Sequence, residues 1–174
     1  VSDVGGRTLS GQTLDAFLAS VQHTTIFSVG LNCSFGARQL KPFLEQLAVR
    51  APYYISAYPN AGLPNPDGSY NLDPDEFAAE MKEYAAIGVS MVGGCCGTTP
   101  EHIRKMTHRL AGRPVPVHGN PTQRALTSER ASLTFDLDGP FLIVGERINP
   151  TGKKKLQQEL HIRRGAWIQR SGTM

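Results

Sequence analysis

The chain has 174 residues, of which 40% are hydrophobic and 19% charged, and its formal net charge at pH 7 is +3. This composition is typical of a globular domain, no stretch approaches the roughly 18 apolar residues of a membrane span, and the N-terminus does not resemble a signal peptide. The basic residues near the C-terminal end lack the interleaved aromatic residues of a nucleic-acid module. We therefore expect a cytoplasmic protein with neither a membrane nor a nucleic acid as partner.

The first half of the chain alternates between helix and strand patterns. Apolar residues at helical spacing predict a short helix near residues 14–21, and a strand follows over 26–31. A second amphipathic helix is predicted over 37–50, although Pro42 favours a later start because proline removes a helical hydrogen bond. The next apolar run predicts a strand over 53–58.

A third helix is indicated by its first residues. Asp73 is a typical N-cap, Pro74 suits the first helical position, and Glu76 stands three residues after the cap. Gly88 is expected to end this helix. Its predicted buried face consists of Phe77, Met81, Tyr84 and Ala85.

The pattern then repeats once more. A strand is predicted over 89–92, and Thr99 followed by Pro100 and Glu101 predicts the start of a fourth helix. The predicted apolar face of this helix carries Ile103, Met106 and Leu110. Alternating strands and helices indicate right-handed βαβ units around a parallel sheet. The cysteines and Asn60 then lie beyond the carboxyl ends of the strands, where (β/α)8 barrels carry their active sites.

All three cysteines of the chain stand in glycine-flanked turns after predicted strands, namely Cys33 in 29–36 and the adjacent pair Cys95 and Cys96 in 92–100. Three sulfur ligands favour Zn²⁺ over hard cations and leave one coordination position open, as in a reactive zinc site. A small buried apolar role is the alternative for each cysteine. A disulfide is the other alternative, but neighbouring cysteines bridge only with strain and the number of cysteines is odd.

Three motifs together carry a family resemblance: Gly30-Leu-Asn-Cys33, Pro59-Asn-Ala-Gly-Leu-Pro64 and Gly93-Gly-Cys-Cys-Gly-Thr-Thr-Pro100. They resemble the zinc-dependent homocysteine S-methyltransferases, and most closely the homocysteine module of the cobalamin-dependent methionine synthases. The match covers roughly residues 1 to 112. It implies an α/β fold in which this segment is the C-terminal part of a (β/α)8 TIM barrel, with Cys33, Cys95 and Cys96 binding Zn²⁺ at its top.

The resemblance also implies how the metal acts. Only the thiolate form of a thiol attacks carbon, and zinc displaces the thiol proton of homocysteine near neutral pH. In the free enzyme the side-chain oxygen of Asn60 is implied to fill the fourth position and to leave when homocysteine binds. The alternative for Asn60 is a turn residue in a loop rich in proline and glycine.

The rest of the chain implies a second module. Residues 113–140 lack apolar periodicity and are interpreted as an interdomain linker after the barrel segment 1–112. Residues 141–174 resemble the start of the pterin-binding barrel of the same synthases, truncated after its first strand, 141–144. There Glu146 and Asn149 would contact methyltetrahydrofolate; a hydrogen-bonded pair at a strand end is the alternative.

The implied function is methionine synthesis from homocysteine, with methyltetrahydrofolate as ultimate donor through methylcobalamin and with a cobalamin-binding domain outside this sequence. The segment alone is expected to be inactive because its barrel is incomplete. A betaine- or S-methylmethionine-dependent homocysteine methyltransferase is one alternative, and a non-catalytic structural zinc domain is another. The five histidines are interpreted as surface or structural residues: His23, His102, His108, His118 and His161.

Overall fold

The computed structural model describes residues 5–116, 119, 122–141, 154–155 and 157–158. The chain divides into two compact units, Val1–Leu137 and Asp138–Met174, and the elements described below all belong to the first. Several predicted features lie outside the described residues: positions 142–144 of the predicted strand, Glu146, Asn149, His118 and His161. In the part of the chain that is described, no helix has the length and apolar character needed to cross a membrane.

Four helices and five strands follow one another along the described residues of the first unit. They are α1 (Leu14–Val21), β1 (Ser28–Gly36), α2 (Ala37–Arg50), β2 (Tyr54–Asn60), α3 (Pro74–Ala86), β3 (Met91–Val92), α4 (Pro100–Leu110), β4 (Ala125–Thr127) and β5 (Ser132–Thr134). Strands β1, β2 and β3 form a parallel sheet in that order, while β4 and β5 form a separate antiparallel pair. The parallel sheet with its intervening helices is consistent with part of a TIM-barrel-like fold.

Helix α2 has the predicted bounds, and Pro42 does not delay its start. Proline at this position removes only the bond that its N–H would donate to the carbonyl of Arg38, one turn earlier. Burial of Leu40, Leu44 and Leu47 against the sheet offsets that loss, since each is at most 1% exposed. Burial of the apolar face therefore outweighs the hydrogen bond lost at Pro42, and the helix begins at Ala37.

Helix α3 begins as its capping residues predict. The Asp73 side chain accepts hydrogen bonds from the backbone N–H groups of Asp75, at 2.7 Å, and Glu76, at 3.4 Å. Pro74 occupies the first turn, where its missing N–H costs nothing. These contacts satisfy the free donors at the start of the helix.

The core lies between the sheet and helices α2, α3 and α4. Phe77, Met81 and Tyr84 are buried as predicted, whereas Ala85 is only partly buried and Ala78 takes its place in the core. The Tyr84 hydroxyl donates a buried hydrogen bond of 2.7 Å to the carbonyl oxygen of Ala37. This bond ties the middle of α3 to the first turn of α2.

The buried face of α4 overlaps the predicted one but is shifted towards His102. Met106 is buried and Leu110 partly so, but Ile103 is 37% exposed and His102 is only 5% exposed. The His102 ring packs edge-on against Phe77, with ring centroids 5.4 Å apart. Ile103, predicted on the apolar face, lies at its exposed edge, because the neighbouring His102, with partners for both ring nitrogens, is buried instead.

Strand lengths also differ from the prediction. Strand β3 comprises only Met91–Val92, although the Ser90 N–H still donates to the carbonyl of Ile55 at 2.8 Å.

The segment expected to be linker contains the hairpin β4–β5, which the sequence did not predict. This hairpin contacts α1, since the Thr127 hydroxyl donates to the Ala16 carbonyl at 3.3 Å.

Candidate metal centre

Cys33 lies in an irregular part of β1. Asn32 pairs with Tyr58 and Gly36 pairs with Asn60, so four steps along β1 match two along β2 and leave two extra residues in a bulge. Cys33 and the following Ser34 have positive φ angles of 58° and 66°, which residues with a side chain rarely adopt. Strand β1 therefore extends past Cys33 rather than ending there, and the bulge turns the Cys33 thiol towards the end of the sheet.

Cys95 and Cys96 lie in the turn between β3 and α4. The Cys95 N–H donates to the carbonyl of Pro59 at 2.8 Å, and the Ala61 N–H donates to the carbonyl of Cys96 at 2.8 Å. Inside the turn, the Thr98 hydroxyl donates to the Cys95 carbonyl at 2.5 Å. Backbone contacts thus hold both cysteines against the carboxyl end of β2.

The three thiols converge. The Cys33 sulfur lies 3.6 Å from that of Cys96, and the Cys95 and Cys96 sulfurs are 3.9 Å apart. All three Sγ atoms lie within 4.8 Å of one another. Zinc–sulfur bonds of about 2.3 Å in a tetrahedron separate the sulfurs by about 3.8 Å. The spacing of the sulfurs therefore fits a zinc ion bound by three thiolates.

Asn60 lies beside this cluster and is 3% exposed. Its Oδ1 atom accepts a hydrogen bond of 3.1 Å from the backbone N–H of Cys96. Its side chain also forms a hydrogen bond with the thiol of Cys33, which lowers the pKa of that thiol. Asn60 thus links the two chain segments that supply the sulfurs.

The three thiols have different electrostatic surroundings. The backbone N–H of Ser34 contributes most to lowering the pKa of the Cys33 thiol, and hydrogen bonds with Cys96 and Cys95 add to the effect. The pKa of Cys95 is raised, first by burial and then by its contacts with the other two thiols. Cys33 therefore loses its thiol proton at a lower pH than Cys95 does.

Tyr70 is a further residue at the site, and the sequence analysis missed it. Its side chain forms a hydrogen bond with Cys96, and burial and the neighbouring cysteine thiolates raise the pKa of its hydroxyl. The ring packs over Gly97, whose φ is +77° and where a Cβ atom would overlap Tyr70. The one signal in the sequence is an aromatic residue within a loop, 64–73, that is rich in proline, asparagine and aspartate.

No histidine joins the cluster in the described part of the chain, and no carboxylate does so there either. The one buried histidine, of those described, is His102. Its Nδ1 accepts from the Thr99 N–H at 3.2 Å, and its Nε2 lies 2.9 Å from the Leu72 carbonyl oxygen. The interpretation of His102 as a structural residue is confirmed by these contacts.

Comparison with known protein families agrees with this geometry. A family model described as homocysteine S-methyltransferase matches residues 1–110, more than half of the chain. The matched stretch includes the cysteine cluster, Asn60 and Tyr70. Enzymes of this family are methyltransferases that depend on zinc and act on homocysteine. The chain, with a three-sulfur cluster suited to zinc, belongs to the homocysteine S-methyltransferase family.

Proposed function

We propose that Cys33, Cys95 and Cys96 hold the zinc ion with which a methionine-forming enzyme activates homocysteine. The observation that carries this proposal is the spacing of the sulfurs, 3.6 and 3.9 Å, which fits three vertices of a zinc–thiolate tetrahedron. With three protein ligands the fourth vertex is open to a substrate thiol. The parallel sheet would then be part of a (β/α)8 barrel, with the site at the carboxyl ends of its strands.

Zinc bound there would keep the homocysteine sulfur in its thiolate form near neutral pH. The substrate thiolate attacks the methyl carbon of the donor and forms the new sulfur–carbon bond with a sulfur electron pair. The bond between the methyl group and the donor breaks, and its electron pair leaves with the donor. The chain contributes by holding three sulfurs at fixed spacing, so that the substrate sulfur can bind only at the fourth vertex of the tetrahedron.

Asn60 supplies the displaceable oxygen in this proposal. Its buried amide contacts the Cys33 thiol and accepts through Oδ1 from the backbone N–H of Cys96, so the amide group lies beside the cluster and a small change of its orientation would present Oδ1 to the metal. An amide oxygen is a weaker zinc ligand than a thiolate and can be displaced by homocysteine. Replacing Asn60 by alanine should leave a solvent ligand in the free enzyme and the same four-sulfur set after homocysteine binds.

For the methyl donor, we propose methyltetrahydrofolate acting through methylcobalamin. The support is the resemblance of residues 141–152 to the first strand of a pterin-binding barrel, with Glu146 and Asn149 as folate contacts. The cobalamin-binding domain would be a partner outside this sequence. Methyl-transfer assays of the full-length protein with methylcobalamin, betaine and S-methylmethionine separate the alternatives, because a cobalamin-dependent enzyme should use only the first.

The metal site is tested by zinc content and zinc X-ray absorption with and without homocysteine. We expect three sulfurs and one oxygen or nitrogen in the free protein, and four sulfurs with homocysteine. Homoserine, which carries oxygen in place of the thiol sulfur, is the matched control and should leave three sulfurs. Cys95→Ser should lower zinc affinity by more than about 100-fold, beyond the effect of losing an outer contact. A coordination sphere unchanged by homocysteine would make the site structural and refute the proposal.

A further inference from the structure

A cavity of about 330 Å³ lies between helices α1 and α2 and the hairpin β4–β5. One wall consists of residues of α1 and its C-cap, a second of the residues that join α2 to β2, and a third of the hairpin. Among the described residues that line the cavity, none belongs to β1, β2 or β3. The cavity therefore does not depend on the face of the sheet that a complete barrel would cover.

The cavity lies at the end of the sheet opposite to the cysteine cluster. Tyr53 lines the cavity and immediately precedes β2, whereas Asn60, beside the cysteines, is the last residue of that strand. The 7 residues of β2, at about 3.3 Å each, put the two ends of the strand about 20 Å apart. A small ligand in the cavity therefore cannot also contact the cysteines.

The hairpin is held on α1 by hydrogen bonds. The Thr13 N–H donates to the carbonyl of Arg130 at 3.3 Å, and the Thr127 hydroxyl donates to the carbonyl of Ala16 at 3.3 Å. Ala125, which begins the strand that Thr127 ends, lines the cavity. The wall that the hairpin provides is thus fixed relative to the wall that α1 provides.

Two opposite charges line the cavity. The guanidinium of Arg50, the last residue of α2, forms an ion pair with the carboxylate of Asp15 on α1. The two side chains are 43% and 40% exposed, so solvent screens the pair and opening it to admit a ligand costs little. A ligand with a single charge would leave one of the two residues without a partner. A zwitterion gives each of them a partner of opposite charge.

The rest of the lining suits an amino acid. Gln22, Gln123 and Tyr53 carry polar groups that can form hydrogen bonds with a carboxylate or an ammonium group. Leu18 and Pro52 provide apolar surface for an aliphatic side chain. Ligand pockets have volumes of about 300–1,000 Å³, and this cavity is at the small end of that range. Its size therefore fits a small metabolite rather than a nucleotide or a peptide.

We propose that this cavity is a binding site for a small α-amino acid with an uncharged aliphatic side chain. The ligand carboxylate binds the guanidinium of Arg50, its ammonium group binds the carboxylate of Asp15, and its side chain lies against Leu18 and Pro52. Binding replaces the direct ion pair by two charge-assisted contacts and bridges α1 and α2. The site does not rest on the proposed methyl transfer, because no cysteine takes part in it.

The test measures binding of L-norleucine to the zinc-loaded, full-length protein by isothermal titration calorimetry. Norleucine is an aliphatic α-amino acid without sulfur, so it cannot bind the metal as a thiolate. Hexanoate lacks its ammonium group and pentylamine lacks its carboxylate. Each of these two should bind at least about tenfold more weakly than norleucine, the effect of losing one contact between charged groups.

Variants of the protein locate the bound norleucine. Arg50→Gln and Asp15→Asn each remove one charge and should weaken binding at least about tenfold. Arg38→Gln is the matched control, because it makes the same change on the same helix and breaks the ion pair with Glu80 outside the cavity. It should leave the affinity unchanged. Ala125→Leu fills the cavity without altering either charge and should abolish binding.

Three outcomes would overturn the proposal. They are no binding of norleucine at millimolar concentrations, equal binding of hexanoate or pentylamine, and unchanged binding in the cavity variants, which would place norleucine elsewhere. If a variant did not fold, as judged by circular dichroism, the three ligands on the unaltered protein would still decide the ligand class. Zinc absorption spectra with homocysteine report the proposed function separately. Four sulfurs without norleucine binding would refute this site alone.

Discussion

Replacing His102 by leucine should lower the free energy of unfolding by about 2–3 kcal/mol, from the loss of two part-buried hydrogen bonds that leaves their partners unsatisfied. The Nδ1 atom accepts from the N–H of Thr99, the N-cap residue of α4, at 3.2 Å, and Nε2 contacts the carbonyl of Leu72 at 2.9 Å. Leucine retains apolar contact with the core but offers neither polar partner. The bond from the N-cap N–H and the anchor of the preceding loop are both lost.

A glutamine at the same position separates the two contributions. His102 is the third residue after the N-cap, where glutamine commonly accepts from the N-cap N–H. The His102→Gln variant should retain the cap and lose the contact with Leu72, which lies on the far side of the ring. We expect it to cost about half as much as His102→Leu, or about 1–1.5 kcal/mol.

The measurement is urea unfolding followed by circular dichroism, with and without zinc. His108→Leu is the matched control, because His108 lies on the same helix but is exposed. It should change the free energy of unfolding by less than about 0.5 kcal/mol. If His102→Leu were no more destabilising than His108→Leu, the role given to the buried ring would be refuted.

Two further predictions concern the turn after β3 and the acid sensitivity of the fold. Gly97→Ala should destabilise the protein by about 1–3 kcal/mol more than Gly112→Ala in thermal unfolding. Both glycines have φ near +75°, but only the former meets Tyr70, so equal destabilisation would refute the contact. Lys105→Met should reduce the stability lost between about pH 5 and pH 3, because Lys105 lowers the pKa of Asp75 and that stabilisation disappears as the carboxylate is protonated. An unchanged pH profile of unfolding would contradict that ion pair.

Helix positions could be predicted where local chemistry and apolar spacing agreed. The bounds of α2 followed from its leucines, and the start of α3 from Asp73 and Pro74. For α4 the start was right, and Met106 and Leu110 of the predicted face are buried or partly buried, but Ile103 is exposed and His102 is buried. His102 occupies the core because its ring has polar partners in the N-cap Thr99 of the same helix and in Leu72 of another loop, and apolar spacing alone does not show such partners.

The cysteines could be predicted to meet because parallel strands end at the same edge of a sheet. The bulge that brings Cys33 to Cys95 and Cys96 could not be predicted. It depends on positive φ angles at positions 33 and 34, and neither cysteine nor serine requires such angles. Tyr70 was missed for a similar reason, because its partner Cys96 lies on another loop. The hairpin β4–β5 has three-residue strands, too short for an alternating pattern to be recognised.

Because Cys33 and Cys96 are separated by 63 positions along the chain, a metal bound by both would take part in folding as well as in chemistry. In the proposed site the vicinal pair would bind zinc as soon as its turn forms, whereas adding the third sulfur would close a loop that contains two helices and two strands. The third sulfur could bind the metal only after β1 has paired with β2, so the metal would stabilise the paired strands. We expect thiol labelling under partially denaturing conditions to reach Cys33 before the vicinal pair; simultaneous labelling of all three would show that the site opens as one unit.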